Sequence, residues 1–479
     1  MQLITTSTVT DLTDIIENGQ PGKSVFRTSD GNYHFVFFWT DATTLKYSIS
    51  SDNGKTWSTP TTVISGATNR RKNGFIDSSD NIYLIFKSIS GTDRKLHMIK
   101  FTYNGSGEWT QGTTKDVYTD NKCMRWDITK DSSDKLWLVI REYNFATSTW
   151  EDLKVTSSTD DGDNWSSLTT LKVSGGDGWI GYRPTIGLRN DNPVVIYGNT
   201  GDYFAVREWN GSSWDSEVNL DINSLYPDWH NQTVIGTTIY MLYGNAVYPK
   251  STFLVTWNGA TWGTPVEIVY GKTIVPDIST DGTDIFYTCL SNEDQGTNPG
   301  RTRIFFGKYK VSTGKRILNS ILVSVDTAGN VCSSHMARNG GDNPIIVFPL
   351  IESGTKKLYS ITYNFDYGIK VTRDGYDIST NPDSYANIKK FALVSSIPLL
   401  KVKESDKVTI ANGATETIAH GLSYPPMVWV FLEDSSSHLV PVYDNTSSTY
   451  MYVDYTNLVI HNADGASRDF YYYIFQDEL

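Results

Sequence analysis

Apolar positions in this chain fall in short runs separated by Gly, Asn, Asp, Ser and Thr. Stretches such as "LKYSIS" alternate apolar and polar residues, the period of a strand buried on one face. Stretches such as "YLIFK" and "VVIYG" are continuously apolar and rich in β-branched and aromatic residues, as strands covered on both faces are. No segment sustains the i, i+3, i+4, i+7 apolar spacing of an amphipathic helix. The pattern predicts an all-β protein.

The strands repeat as units. The first reads "SVFRTSDGNYHFVFFW", "LKYSIS", "SDNGKTW", "TTVI"; the second "NGFIDSSDNIYLIFK", "KLHMIKFTYNGSGEW", "KDVY"; the third "RWDITKDSSDKLWLVIRE", "EDLKVTSSTDDGDNW", "TTLKV". The fourth reads "RPTIGLRNDNPVVIYGN", "YFAVREWNGSSW", "EVNL"; the fifth "QTVIGTTIYMLYGN", "STFLVTWNGATW", "VEIV". The sixth reads "VPDISTDGTDIFYTCLS", "RIFFGKYKVSTGK", "ILVSV"; the seventh "HMARNGGDNPIIVFPLI", "KKLYSITYN". Closing tryptophans Trp57, Trp109, Trp165, Trp214 and Trp262 recur every 50 residues or so, about the length of a four-stranded propeller blade. Asp30-Gly31, Asp80-Asn81 and Asp281-Gly282 supply the left-handed positions of tight hairpins. The seventh unit lacks a fourth strand, and "QLITTSTVT" at the amino terminus is a strand without a unit. The expectation is a seven-bladed β-propeller, with six blades as the alternative, whose first strand completes the last blade and removes its open edge.

Charge and cysteines narrow the function classes. The net charge of −12 with no Lys/Arg block argues against a nucleic-acid partner, which needs a basic stripe. Cys123, Cys289 and Cys332 form no CxxC pair, so buried free thiols are expected, with no disulfide framework, metal or cofactor. "MQLITTSTVTDLTD" lacks the basic and apolar regions of a signal peptide, and no apolar run has the length of a membrane span.

Ser50-Ser51-Asp52-Asn53-Gly54-Lys55-Thr56-Trp57 and Ser158-Thr159-Asp160-Asp161-Gly162-Asp163-Asn164-Trp165 resemble the Asp-box of the sialidase-like propeller families, SxDxGxTW, with Asn164 in the Thr56 place. Ser50, Asp52, Gly54, Thr56 and Trp57, with Ser158, Asp160, Gly162, Asn164 and Trp165, are expected to staple turns: the carboxylate takes local N–H bonds, the glycine adopts positive φ, and the tryptophan covers a seam between sheets. The resemblance covers roughly residues 1 to 365. It implies an arginine triad, a tyrosine–glutamate pair and an acid–base aspartate for a sialidase. The place of the first arginine here reads Pro21-Gly22-Lys23, so that arginine is missing and no catalytic residue is nominated. Arg125, Arg183, Asp228, Trp229, His230, Asn231, Asp277 and His335 stand at the starts of innermost strands, where they are expected to line one mouth of a central channel. Three readings stay open for them: an internal salt-bridge ring along the axis, a glycan-binding site, with planar donors for hydroxyls and an aromatic face for a sugar ring, or a catalytic centre.

The repeat ends near Asn364, giving a propeller over 1–366, a bridge over 367–403 and a small β-sandwich over 404–479. The last part carries "KVTRDGYD" at Lys370–Asp377, Ile418-Ala419-His420-Gly421-Leu422 followed by Tyr424-Pro425, and a closing Tyr472-Tyr473-Ile474-Phe475. These motifs resemble a module of tail and other virion proteins of tailed bacteriophages. His420 is read as a turn residue, and "FYYYIF" as a central strand or a partner-facing one. The resemblance implies a non-enzymatic adhesion or structural virion protein, assembled in the host cytoplasm and released by lysis. Its partners would be other virion proteins, sister copies (a trimer is one arrangement) and a host surface glycan. The rivals are a phage-borne glycosidase or lyase acting on host polysaccharide, and a decoration protein with no ligand.

Overall fold

Strand pairing in the computed structural model follows the repeat. It describes residues 2–7, 23–41, 43–66, 72–90, 93–120, 122–174, 182–199, 203–221, 230–244, 251–269, 273–292, 302–325, 334–338, 340–341, 344–352, 355–362, 392–393, 400–421, 427–433, 439–441, 449–453, 456–463 and 465–477. The chain divides into two compact units, Met1–Tyr363 and Asn364–Leu479. Among the described residues the only helical turn is Val311–Thr313, and no helix is long and apolar enough to cross a membrane.

The first unit holds antiparallel sheets whose strands follow chain order. The first sheet is Val25–Arg27, His34–Trp39, Leu45–Ser50 and Thr61–Ile64. The second is Lys72–Ile76, Ile82–Ser90, Asp93–Tyr103 and Lys115–Tyr118, with Trp109–Gln111 paired to the third of these strands. The third runs from Cys123 to Lys172, the fourth from Tyr182 to Asp221, the fifth from His230 to Val269 and the sixth from Thr273 to Val325, each with four strands. The last sheet is Ile345–Glu352, Thr355–Thr362 and the amino-terminal Gln2–Ser7, and His335 bridges to Val347 on its inner edge. Gln2 stands opposite Ser360 and Ser7 opposite Lys356, so the spare strand does complete the last unit.

Second strands are buried along most of their length, as their composition predicts, and every residue of His34–Trp39 is buried. Phe35, Phe37, Trp39, Ile82, Leu84 and Phe101 form one core between the first two sheets. Each such side chain contributes about 1.5–3 kcal/mol by leaving water. The hairpins that open each sheet differ in detail from a two-residue turn. Only Gly31, Asp80 and Gly282 of the three dipeptides take positive φ, because an aspartate or threonine side chain upstream bonds the turn N–H groups. Among these described opening hairpins, that of the fourth sheet takes two successive positive φ angles, at Asn190 and Asp191.

Turns between third and fourth strands lock each sheet to its predecessor. Asp161, in the second box, accepts from Tyr83 at 2.8 Å and Lys100 at 2.6 Å on the second sheet. Trp262 of the fifth sheet donates to the Val218 carbonyl of the fourth at 3.4 Å. Trp57 of the first sheet donates to Ser360 of the last at 2.8 Å, and Thr362 bonds the Asn53 carbonyl at 2.7 Å. The first sheet therefore treats the last as its predecessor.

In the second unit, one sheet orders as Ala392–Leu393, Leu400–Ile410, Arg468–Asp477, Met427–Glu433, Leu439–Pro441, and a smaller one as Thr415–Ala419, Asn457–His461, Tyr450–Val453. "FYYYIF" lies in a central strand, with Phe470, Tyr472 and Ile474 buried against Leu458 and Ile460 of the smaller sheet. His420 is buried, its N–H bonded to the Thr456 carbonyl at 3.1 Å. The bridge 367–403 lies mostly outside the described residues, and the strand Leu400–Ile410 begins within it. Lys370–Asp377, Leu422, Tyr424 and Pro425 also lie outside them.

Candidate functional site

Both Asp-boxes have one geometry. Ser50 Oγ donates to Asp52 at 2.9 Å and accepts from Gly54 N–H at 2.8 Å; Thr56 gives Asp52 its N–H at 2.8 Å and its hydroxyl at 2.6 Å. In the second box Ser158 and Gly162 repeat this, and the Asn164 amide replaces the threonine hydroxyl on Asp160 at 2.7 Å. Those Asn164 bonds, with that from Ser158, hold the Asp160 carboxyl down at about 2. At Asp52 partial burial pushes upward, but the Thr56 and Ser50 bonds outweigh it and keep the carboxyl below its ordinary range. Asn53, Gly54, Asp161 and Gly162 all take positive φ. The Asp52 and Asp160 carboxylates take their donors from within the turn, so the boxes staple.

The axis of the first unit carries a second repeated device. Asn73, Asp127, Asn231 and Asp277 occupy equivalent places on four innermost strands. Each accepts the N–H of the next residue, from Gly74, Ile128, Gln232 and Ile278, at 2.8–2.9 Å. Each also reaches the next sheet. Asn73 donates to the Trp126 carbonyl at 3.0 Å, Asp127 accepts Ile186 N–H at 2.8 Å, Asn231 donates to Asp277 at 2.6 Å, and Asp277 accepts Met336 N–H at 2.8 Å. Lys23, buried, pairs with Asp127 and donates to the Ile128 carbonyl at 3.1 Å. Arg338 arrives from the segment before the last sheet. It donates to Asp127 at 3.4 Å, to the Ile186 carbonyl at 3.2 Å and to Asn231 at 3.1 Å. One side chain thus touches the third, fourth and fifth sheets from the last, which places all of them around a common axis.

Beyond this girdle, toward the first hairpin turns, lies a cavity of about 300 Å³. Phe26, Phe75, Thr129, Leu188, Val234 and Thr280 line it, one residue from each of the first six sheets in turn, together with Arg338 from the segment before the last sheet. On the other side Arg183 and His230 line a much smaller pocket with Asn73 and Asp127.

No family model and no curated protein matches the sequence. Solved structures of similar chain path do exist. An ulvan lyase, from a polysaccharide lyase family, has a TM-score of 0.48 at 12% identity, covering 74% of this chain and 97% of its own. The NanB sialidase from Streptococcus pneumoniae has a TM-score of 0.37 at 12% identity, covering 76% and 70%. A mutant of AofleA from Arthrobotrys oligospora has a TM-score of 0.44 at 13% identity, covering 66% and 92%.

The residues that the sequence singles out at strand starts are distributed as follows. Arg125, Arg183, His230, Asp277 and His335 are all buried. Arg183 and His230 come together beside the girdle, and Asp277 belongs to it. Arg183 adopts a φ of 46°, an uncommon left-handed backbone for arginine. His230 packs edge-on to Phe204, and burial pushes His335, near Lys72, down to about 3. Asp228 and Trp229 lie outside the described residues. Burial raises Asp277 to about 6, partly offset by its Met336, Ile278 and Asn231 bonds. Lys23, Asn73, Asp127 and Arg338 were not nominated from sequence, whereas Asn231 was. The signal for Asn73 and Asp127 was an Asn or Asp early in the innermost strand, in "NGF" and "DIT", matching Asn231 in "NQT" and Asp277 in "DIS". Among the described residues no group of three His, Cys, Asp or Glu side chains converges as a metal site. Cys123 and Cys289 are buried free thiols; Cys332 lies outside the described residues.

Proposed function

We propose that the first unit is a seven-bladed β-propeller and the second a small β-sandwich, in an adhesion or structural protein of a tailed-phage virion. The propeller presents a binding face for host surface glycans at the starts of its innermost strands. The girdle carries this reading. Its carboxylates take backbone N–H groups, amides, Lys23 and Arg338, so they serve ring closure and offer no accessible acid–base pair. Asp277 has the raised pKa of a general acid, yet it is fully enclosed. Beside the girdle at the strand starts stand Arg183 and His230, 7% and 1% exposed, whose chemistry suits sugar hydroxyls and carboxylates. Loops on a rigid scaffold are where ligand specificity is built. The virion assignment, with release by lysis and partners among virion proteins or sister copies, is supported by the motifs of the terminal segment.

The test is binding of the full chain to an array of bacterial envelope glycans. Retention on a defined subset is expected, weakened about tenfold or more by Arg183→Ala or Trp229→Ala at unchanged melting temperature. No retention on any glycan contradicts the reading and leaves a decoration role. Release of reducing or unsaturated ends from envelope polysaccharide, with Asp277→Asn inactive, would establish the glycosidase or lyase reading instead.

A further inference from the structure

We propose that Ser88, His97 and Asp116 form a nucleophile relay on the second sheet that hydrolyses carboxylic esters with small acyl groups. Ser88 Oγ lies 2.5 Å from His97 Nε2, and His97 Nδ1 lies 2.8 Å from Asp116 Oδ1. The three residues come from the second, third and fourth strands of that sheet. The register explains how they meet: His97 stands opposite Phe86 on one side and Asp116 on the other, and Ser88 stands two residues beyond Phe86 on the same face. Phe86 stacks on the imidazole at 5.3 Å and fixes its plane.

These contacts assign the roles. Asp116 sits on Nδ1, so the carboxylate holds the tautomer in which Nε2 accepts, and Nε2 faces the serine hydroxyl. Lys95 stands opposite Ser88 in register, with its ammonium 3.9 Å from Asp116 and 39% exposed. It is close enough and free enough to swing to charge developing beside Ser88. His97 is 14% exposed and its contact with Ser88 is part-buried, an enclosure that favours small acyl groups such as acetyl. None of these residues lines the axis, so the proposal is independent of the glycan-binding reading.

Chemistry follows in two steps. Ser88 Oγ bonds to the ester carbonyl carbon as its proton passes to Nε2, and the carbonyl oxygen takes negative charge near Lys95. Collapse breaks the bond to the leaving alkoxide, which receives that proton from Nε2, and leaves an acyl-serine. Water then attacks the acyl carbon, giving its proton to Nε2. The acyl–Oγ bond breaks, Oγ recovers the proton, and the acid departs. The sum is ester plus water to acid plus alcohol.

The test uses the full chain and an alkyl fluorophosphonate, from which the serine oxygen displaces fluoride. Peptide mass analysis should place one adduct on Ser88. His97→Gln should slow labelling by about 100-fold or more, the range of general-base contributions. p-Nitrophenyl acetate should be hydrolysed with a burst that Ser88→Ala abolishes. If His97→Gln fails to fold, Asp116→Asn at the exposed carboxylate decides: it should slow labelling of Ser88 by about 100-fold or more. Labelling spread over several serines, or a rate unchanged by His97→Gln or by Asp116→Asn in a folded protein, overturns the proposal.

Discussion

Gly54→Ala probes the seam between the first and last sheets. Gly54 has a φ of 80°, and a Cβ there meets Ile345 Cδ1 at 2.8 Å. Gly105, at φ 83°, has nothing within 4 Å of the same atom. Alanine at either position costs about 1–2 kcal/mol for left-handed backbone. At Gly54 the methyl must also displace Ile345, which is 1% exposed. Overpacking adds about 1–3 kcal/mol, toward the lower end because the tip of a side chain yields more readily than backbone. Gly54→Ala should therefore destabilise by about 2–4 kcal/mol and Gly105→Ala by about 1–2 kcal/mol. Ile345→Val removes the crowded atom and alone costs about 0.5–1.5 kcal/mol. Combined with Gly54→Ala it should cost less than the sum, with a coupling of about 1 kcal/mol. The assay is equilibrium denaturant unfolding followed by tryptophan fluorescence, with midpoints compared at a common slope. Equal losses at the two glycines, together with additivity of Gly54→Ala and Ile345→Val, would refute the seam.

Other predictions concern buried charge and histidine. Lys23→Met strands Asp127 with one cation fewer in the girdle and should cost about 3–5 kcal/mol, measured by the same unfolding. Lys122→Met, which breaks a half-exposed pair with Glu151, should cost at most about 1 kcal/mol. Burial holds His34 and His335 near about 3, against 6.5 unperturbed. On acidification the unfolded chain takes up protons that the folded one refuses. Stability should thus fall from pH 6.5 downward, by about 2 kcal/mol per histidine at pH 5, until the folded groups titrate near 3. His34 has no hydrogen-bond partner on either ring nitrogen, so His34→Phe should remove its share of the pH dependence, read from melting temperature against pH.

Local features of the fold were legible because they are encoded locally. The second strands are apolar enough to name themselves, and the boxes carry their hydrogen-bond partners within eight residues of sequence, so Asn164 in place of Thr56 could be read as equivalent. The role of Gln2–Ser7 was legible by elimination, since one unit lacked a strand and one strand lacked a unit. The axis was not legible. Lys23 meets Asp127 from 104 residues away, and Arg338 meets it from 211, and neither cation sits in a motif. Lys23 was instead noticed as the residue where an arginine was missing. Ser88, His97 and Asp116 stayed hidden for a related reason: nothing in sequence says which face of three successive strands their side chains share. "FYYYIF" could be read as central or partner-facing because its period is ambiguous when every residue is apolar; pairing on both edges settles it.

Hydrogen–deuterium exchange of the peptide spanning residues 2–7 tests ring closure most directly. Paired to Thr355–Thr362, its amides should exchange as slowly as those of Ile345–Glu352, and Trp57→Ala should accelerate both peptides together through the lost bond to Ser360. Exchange of residues 2–7 at the rate of an unstructured peptide, with Ile345–Glu352 still protected, would contradict the closed ring.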